Sequence, residues 1–245
     1  GILNGCIYFM MDLLEKFNFK YQIDFIKATS YKGTKSLNLN IESIPAEKYY
    51  TNDILIIDLG DKGNDFIKKT LMDKINNFID EVVKDKNKSK QLDAGKTLAG
   101  QVTQEIFLPK EVIDGEMMGF LGNITKVFVE GLTEKKVTKF HLISCWVVRQ
   151  FQNEYNPTHW HNGHISGAGY LKLPNNFGAS KQEKAKNVNG KINFTHGSRQ
   201  FLSMPIITRK PEVGKIFLFP NYLMHSVNPF YGEGERRSIS FNAYI

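Results

Sequence analysis

Hydrophobic positions along the chain change their period near residue 140. Before it, the clearest pattern is helical. Phe66, Ile67, Leu71, Ile75, Phe78, Ile79, Val82 and Val83 fall three and four residues apart, which places apolar side chains on one stripe of an α-helix. The spacing predicts an amphipathic helix of roughly 20 residues opening near Asn64. It closes in the charged run DKNKSK (85–90), expected to be solvated. A second helix is predicted from about Lys110 to Gly131, with Pro109 ahead of it and glycine at its end. Further upstream, residues 21–26 alternate with period two as a half-buried strand does, and Ile54-Leu55-Ile56-Ile57 fits a strand or a helix end. The apolar segment 1–17 is interrupted by Asp12 and Glu15 and lacks a basic start and a small-residue cleavage site. It is expected to pack as a helix or strand rather than to act as a signal peptide.

After Phe140, short β-branched and aromatic segments are separated by Gly, Pro and Asn turns: HLISCWVV, HISGAGYLKL, KINFTH, MPIITR, KIFLFP, HSVNPF and RRSISFNAYI. Strand signals at this density argue an all-β sandwich or barrel. The polar, glycine-bearing segment 175–190 is expected to be a mobile surface loop. The expected fold is mainly β with supporting α-helices. A core of about 107 residues, long enough for an eight-stranded jelly roll, spans 139–245 and is packed by helices of an N-terminal mixed α/β region, 1–138, in one structural domain.

Composition narrows where chemistry is to be sought. With 41% hydrophobic and 23% charged residues over 245 positions, disordered and fibrous classes are excluded. No apolar run reaches the roughly 18 residues of a membrane-spanning helix. The net charge of +7 is uneven. Residues 1–138 hold 19 Lys, no Arg and 20 acids, whereas residues 139–245 hold 13 bases and 5 acids. All five arginines lie in the second part, as do His159, His161, His164 and His196. Lys181, Lys184, Lys186 and Lys191 share one polar segment without interleaved aromatics, so a solvated face is expected and nucleic acid is not an expected partner. Cys6 and Cys145 are far apart, and Cys145 lies in an apolar run, which predicts a buried free thiol and a reducing compartment. The Lys- and Asn-rich, Arg-poor composition fits an AT-rich genome, and the expected location is the cytoplasm of a bacterium or phage-infected host.

The densest chemistry lies in NPTHWHNGH (156–164). In a strand, His159 and His161 point to one face and Trp160 to the other. Imidazole suits Fe, Zn, Cu and Ni. His225, after the strand GKIFLFP and a short turn, is the candidate third ligand. Arg236 and Ser238 share one face of the final strand, where a guanidinium fork beside a hydroxyl suits a carboxylate. The structural alternative for Arg236 is an ion pair to Glu233 or Glu235. Arg237 is expected to face solvent.

The stretches HWHNGHISGAGYLKLP (159–174), GKIFLFPNYLMHSVNP (214–229) and RRSISFN (236–242) resemble the Fe(II)- and 2-oxoglutarate-dependent oxygenases, in particular their prolyl-4-hydroxylase-like branch with its bacterial and phage relatives. The resemblance covers about the last 100 residues. It implies a double-stranded β-helix (jelly roll) core over 139–245, a metal held by His159, His161 and His225, and 2-oxoglutarate held by Arg236 with help from Ser238 and Tyr170. It further implies an Fe(II)- and O2-using dioxygenase that hydroxylates a peptidyl, prolyl-like or small-molecule substrate with release of succinate and CO2. Arg149, His164 and Tyr222 are candidates for the substrate side, with Trp146 beside them. His161 departs from the family's usual Asp or Glu; alternatively His161 is not a ligand and an acid such as Glu154 completes the site. A cupin-type metalloenzyme, which also uses H-x-H and a later His but no 2-oxoglutarate, is a second reading. It lacks the expected acid, since Ile165 and Ser166 stand there, and leaves Arg236 without a role. A non-catalytic jelly-roll binding or virion protein is a third.

Overall fold

The computed structural model describes the backbone of Lys27–Lys32, Lys35–Glu42 and Ile57–Asp58, and residues 67–133, 135–181, 186–198 and 204–245 with their side chains. The strand expected over 21–26, Cys6, Phe66 and most of the apolar run 54–57 lie outside these residues. The chain divides into two compact units, residues 1–49 and 50–245. In the first, β1 (Lys27–Lys32) and β2 (Lys35–Glu42) pair antiparallel, with an irregularity between Thr29 and Tyr31.

The second unit contains two antiparallel sheets. Its strands are β3 (Ile57–Asp58), β4 (Gln104–Phe107), β5 (His141–Gln150), β6 (Asn156–His159), β7 (Ile165–Lys172), β8 (Ile192–Thr195), β9 (Ile206–Arg209), β10 (Ile216–Pro220), β11 (Met224–Val227) and β12 (Arg236–Tyr244). One sheet has the order β3-β10-β7-β12-β5-β4 and the other β6-β11-β8-β9. This is the mainly β architecture that the alternating segments predict, in the double-stranded β-helix form that the resemblance implies. β4 was not anticipated from the sequence.

Two-residue alternation makes two cores of the larger sheet. Along β10, Ile216 and Leu218 face one side, while Phe217 and Phe219 face the other. The first side packs under helices α1 (Lys69–Lys84) and α3 (Gly115–Thr133). There Leu71, Ile75, Ile79 and Val82 of α1 meet Ile106, Val147, Ile239 and Phe241. The second side faces the smaller sheet and buries Tyr170, Ile192, Phe194, Phe217, Phe219 and Leu223. From Leu71 to Val82 the helical stripe is as expected, but the helix begins at Lys69 rather than near Asn64, which leaves the buried Ile67 ahead of it, and Val83 is 38% exposed.

Three local expectations are corrected. The run after α1 is not merely solvated coil: Asp85 accepts hydrogen bonds from the Asn87 and Lys88 amides at 2.9 and 3.1 Å, and this cap starts the short helix α2 (Lys86–Gln91). α3 begins five residues later than predicted and continues past Gly131. Asp114 caps it by accepting from the Met117 amide, and Pro109 instead initiates a preceding turn. The described ends of segment 175–190 are anchored, because the buried Asn189 amide donates to the carbonyls of Phe177, Gly178 and Ala179 and Phe177 packs edge-on against Phe230.

Candidate metal centre and carboxylate pocket

His159 ends β6 and His225 lies in β11, directly opposite it in the antiparallel register. The pairing sets their rings 4.3 Å apart between centroids. His161 lies beyond the end of β6, so its position does not come from strand alternation. Instead the chain turns, and Asn221 between β10 and β11 holds it: the His161 amide donates to the Asn221 carbonyl at 3.0 Å, and the Asn221 side chain donates to the His161 carbonyl at 2.9 Å. Gly163 permits the turn. It has φ +108°, and a Cβ there would meet the Ala243 carbonyl oxygen at 2.9 Å. Trp160, expected on the opposite face, lines the outer part of the same cavity as the histidines and is 64% exposed.

The three imidazoles converge. His161 Nε2 and His225 Nε2 are 3.2 Å apart, close to the roughly 3 Å between nitrogens sharing one ion at about 2.1 Å each. All three offer one ring nitrogen within 4.8 Å of the others. Nδ1 of His159 donates to the Pro157 carbonyl at 2.7 Å, and Nδ1 of His225 to the Leu223 carbonyl at 2.9 Å. These bonds fix the tautomers and leave both Nε2 lone pairs for a metal. Burial, reinforced by the neighbouring imidazoles, lowers the His225 pKa to about 3 and that of His161 to about 4. Burial also lowers that of His159, opposed by its bond to Pro157. The set is neutral and ready to ligate at neutral pH. Glu154, the alternative acid, is engaged elsewhere, accepting from Thr103 and from the Phe151 amide.

Arg236 opens on the same cavity, of about 160 Å³. It is 2% exposed. Its Nη1 donates to Gln150 Oε1 at 3.2 Å and to Ser238 Oγ at 3.3 Å, and its guanidinium lies 5.0 Å from the Tyr170 ring centroid. Its Nε has no hydrogen-bond partner, and no carboxylate pairs with it among the described residues. Burial pulls its pKa down, partly offset by Tyr170. A buried guanidinium without an anion is costly, and a fork facing a cavity suits an incoming carboxylate.

Glu235 does not serve Arg236. Its Oε1 accepts from Arg149 Nε at 2.7 Å and from Arg237 Nε at 2.9 Å. Arg237 is not solvated as expected but 1% exposed. Alternation turns it toward α1, where it reaches Asp80 at 2.6 Å and the Asn76 carbonyl at 3.2 Å. Burial works against its charge, and the two acids more than offset this, raising its pKa. Arg149 lies on that face too, bound to Glu235 and Gln104, and so is away from the cavity. His164 contacts the Ile245 carbonyl and the Tyr244 ring. Tyr222 is 64% exposed, and neither it nor His164 lines the cavity, whereas Trp146 does. Glu105, Gln150, Asn156 and Asn221 were not singled out from the sequence. Only tertiary pairing brings them here.

Residues 144–242 match the family model described as "Putative 2OG-Fe(II) oxygenase". The matched span contains His159, His161, His225 and Arg236. A search of the curated proteins found no match. Among solved structures, the core is similar to AviO1 from Streptomyces viridochromogenes Tue57, with a TM-score of 0.51 and 12% identity over 79% of this chain and 90% of that one. It is similar to SnoN, a non-heme alpha ketoglutarate dependent epimerase from nogalamycin biosynthesis, with a TM-score of 0.51 and 13% identity over 78% of each chain. The collagen prolyl hydroxylase vCPH of Paramecium bursaria Chlorella virus-1, solved as a 2OG complex, matches with a TM-score of 0.48 and 14% identity over 78% of this chain and 97% of that one. The first two likenesses show the fold. Three imidazole donors and an anion-seeking arginine fit the Fe(II) and 2-oxoglutarate of this oxygenase family. No helix among the described residues is long and apolar enough to cross a membrane.

Proposed function

We propose that the protein hydroxylates a peptidyl, prolyl-like or small-molecule substrate, releasing succinate and CO2. The observation that carries this reading is one cavity lined by three converging imidazoles and by a buried Arg236 with no carboxylate partner. His159, His161 and His225 would hold Fe(II). Arg236, with Ser238 and the Tyr170 ring, would hold the distal carboxylate of 2-oxoglutarate. When bound, this pair supplies oxidative decarboxylation of 2-oxoglutarate coupled to insertion of one O2 oxygen into a substrate C–H bond. The chain's own contribution is to fix the imidazole tautomers through the Pro157 and Leu223 carbonyls and to shield the site with Val148, Ala168, Ile192 and Val227.

Arg236 disfavours a cupin-type site without 2-oxoglutarate, because such a site leaves this buried cation unpaired. The buried free thiol of Cys145 supports a reducing cytoplasm as the location, in a bacterium or phage-infected host. The decisive assay is Fe(II)-dependent formation of succinate from 2-oxoglutarate, alongside 2-oxoglutarate binding by calorimetry. Absence of both rejects the reading.

A further inference from the structure

We propose that Glu105 is the substrate anchor of this site and that it binds a protonated nitrogen carried on an aliphatic side chain of the substrate. The inference rests on the oxygenase reading above and adds the substrate's chemical class. Glu105 lies in β4, paired with Val148 of β5, which pairs with Ser238 of β12, which pairs with Tyr170 of β7. These four residues form one row across four neighbouring strands. At about 4.8 Å per strand, Glu105 stands roughly 10 Å from Ser238. The arginine end of the row is thereby assigned to the co-substrate, and the glutamate end lies free of it in the same cavity.

Glu105 is 2% exposed. Its Oε2 is wholly buried without a partner, and no cation pairs with the carboxyl among the described residues. A buried carboxyl is normally paired or coordinated, so an unpartnered one aimed into a cavity marks a ligand that completes it. It does not join the three histidines as a metal donor. Gly100 leans on it so closely that a Cβ there would meet Glu105 Oε1 at 2.7 Å, which holds the side chain in place without supplying a donor. Burial, and after it the charge of Asp93, disfavours ionisation of Glu105 without a cation beside it. Both carboxylates therefore favour a cation. At about 160 Å³ the cavity is smaller than the ~300–1,000 Å³ of sites that engulf a drug-sized ligand. Shared with 2-oxoglutarate, it leaves room for no more than one side chain of a larger molecule, passing the exposed Trp160 that also lines it.

The test uses the full chain loaded with Mn(II) and 2-oxoglutarate, and two blocked tripeptides that differ only in a central lysine or norleucine. Calorimetry should show the lysine peptide binding roughly tenfold or more tightly, as expected for one charge-assisted bond. With Fe(II), the lysine peptide should accelerate succinate formation. Glu105→Gln should abolish the preference and leave 2-oxoglutarate affinity within roughly twofold of the parent, a change too small to count as a lost contact. Glu105→Asp, which keeps the charge, should retain part of the preference. Equal binding of the two peptides overturns the proposal. So does a preference that survives in Glu105→Gln, or a loss of 2-oxoglutarate binding in Glu105→Gln as large as that in Arg236→Ala. Failure of the unmodified protein to bind 2-oxoglutarate at all refutes instead the oxygenase reading, and the proposal falls with it.

Discussion

At the scale of single residues, the site contains side chains whose environments oppose stability. Arg236 is a buried cation held only by neutral groups. Replacing it by methionine, similar in length and apolar, should stabilise the ligand-free protein by about 0.5–2 kcal/mol, as substitutions that relieve functional strain do. The same change should weaken 2-oxoglutarate binding thirtyfold or more, following the about 2–5 kcal/mol lost when a buried charge pair loses one partner. Thermal unfolding and calorimetry on one preparation measure both. Glu105 gives a pH signature. Burial, with a contribution from Asp93, raises its pKa from 4.5 to about 7. The folded state therefore keeps the proton longer than the unfolded chain does. The stability tied to this group is complete below about pH 4.5 and is lost as pH rises through about 7. Relative to the parent, Glu105→Gln should gain up to about 3 kcal/mol at pH 8, a gain that fades toward pH 5. Urea unfolding at the two pH values checks it.

At the scale of elements, β12 carries two successive arginines with opposite duties. Arg236 faces the cavity, and Arg237 clamps α1 through Asp80 and Asn76. Arg237→Ala leaves Glu235 buried between fewer cations and should cost about 3–5 kcal/mol. Asp80→Asn, at a half-exposed position, should cost no more than about 1 kcal/mol. Equal losses in chemical denaturation would show that the clamp depends on Asp80 rather than on Glu235. Asn221 braces His161 through the backbone, and Asn221→Ala should weaken metal binding about 10–100-fold, read by competition with a chelator.

These elements also show what the sequence carries. Arg236 and Ser238 are legible because alternation along a strand is a local property, whereas His161 was paired with His159 by alternation although it lies beyond the end of β6. Arg237 was misread for the same reason. Alternation places it opposite Arg236, but whether that face meets water or a helix depends on Asp80, 157 residues away. Glu105 was invisible because an acid is informative only once it is known to have no partner, and partners are tertiary.

At the scale of the molecule, the two cores divide the labour. The aromatic core between the sheets surrounds His225 with Phe194 and Phe219, while the helices stiffen the back of the larger sheet. Most of the helix stripe and the strand succession were legible from hydrophobic period, which argued a sandwich or barrel, whereas the double-stranded β-helix came from the resemblance of the histidine- and arginine-bearing segments. β4 and the capped starts of α2 and α3 were not, because four residues or one aspartate make too short a pattern. A metal held by His159, His161 and His225 would join β6, β11 and the loop after β6, so its binding should raise the stability of the whole unit. At a hundredfold excess over Kd the gain is about 2.7 kcal/mol, some 5–10 °C in Tm for a unit of this size. Scanning calorimetry with Mn(II) should show the shift, and His225→Ala should abolish it.

β12 follows every other strand of the unit in sequence, yet it occupies an interior place between β7 and β5. Until it inserts, those two strands present open edges flanked by apolar residues, and each contact that closes them is long-range in sequence. Such topologies fold slowly, and unpaired edges of this kind recruit other chains. Refolding yield should therefore fall steeply with protein concentration. The same insertion delivers Arg236 and Ser238, so the proposed co-substrate pocket is completed only by the step that also ends the exposure to aggregation.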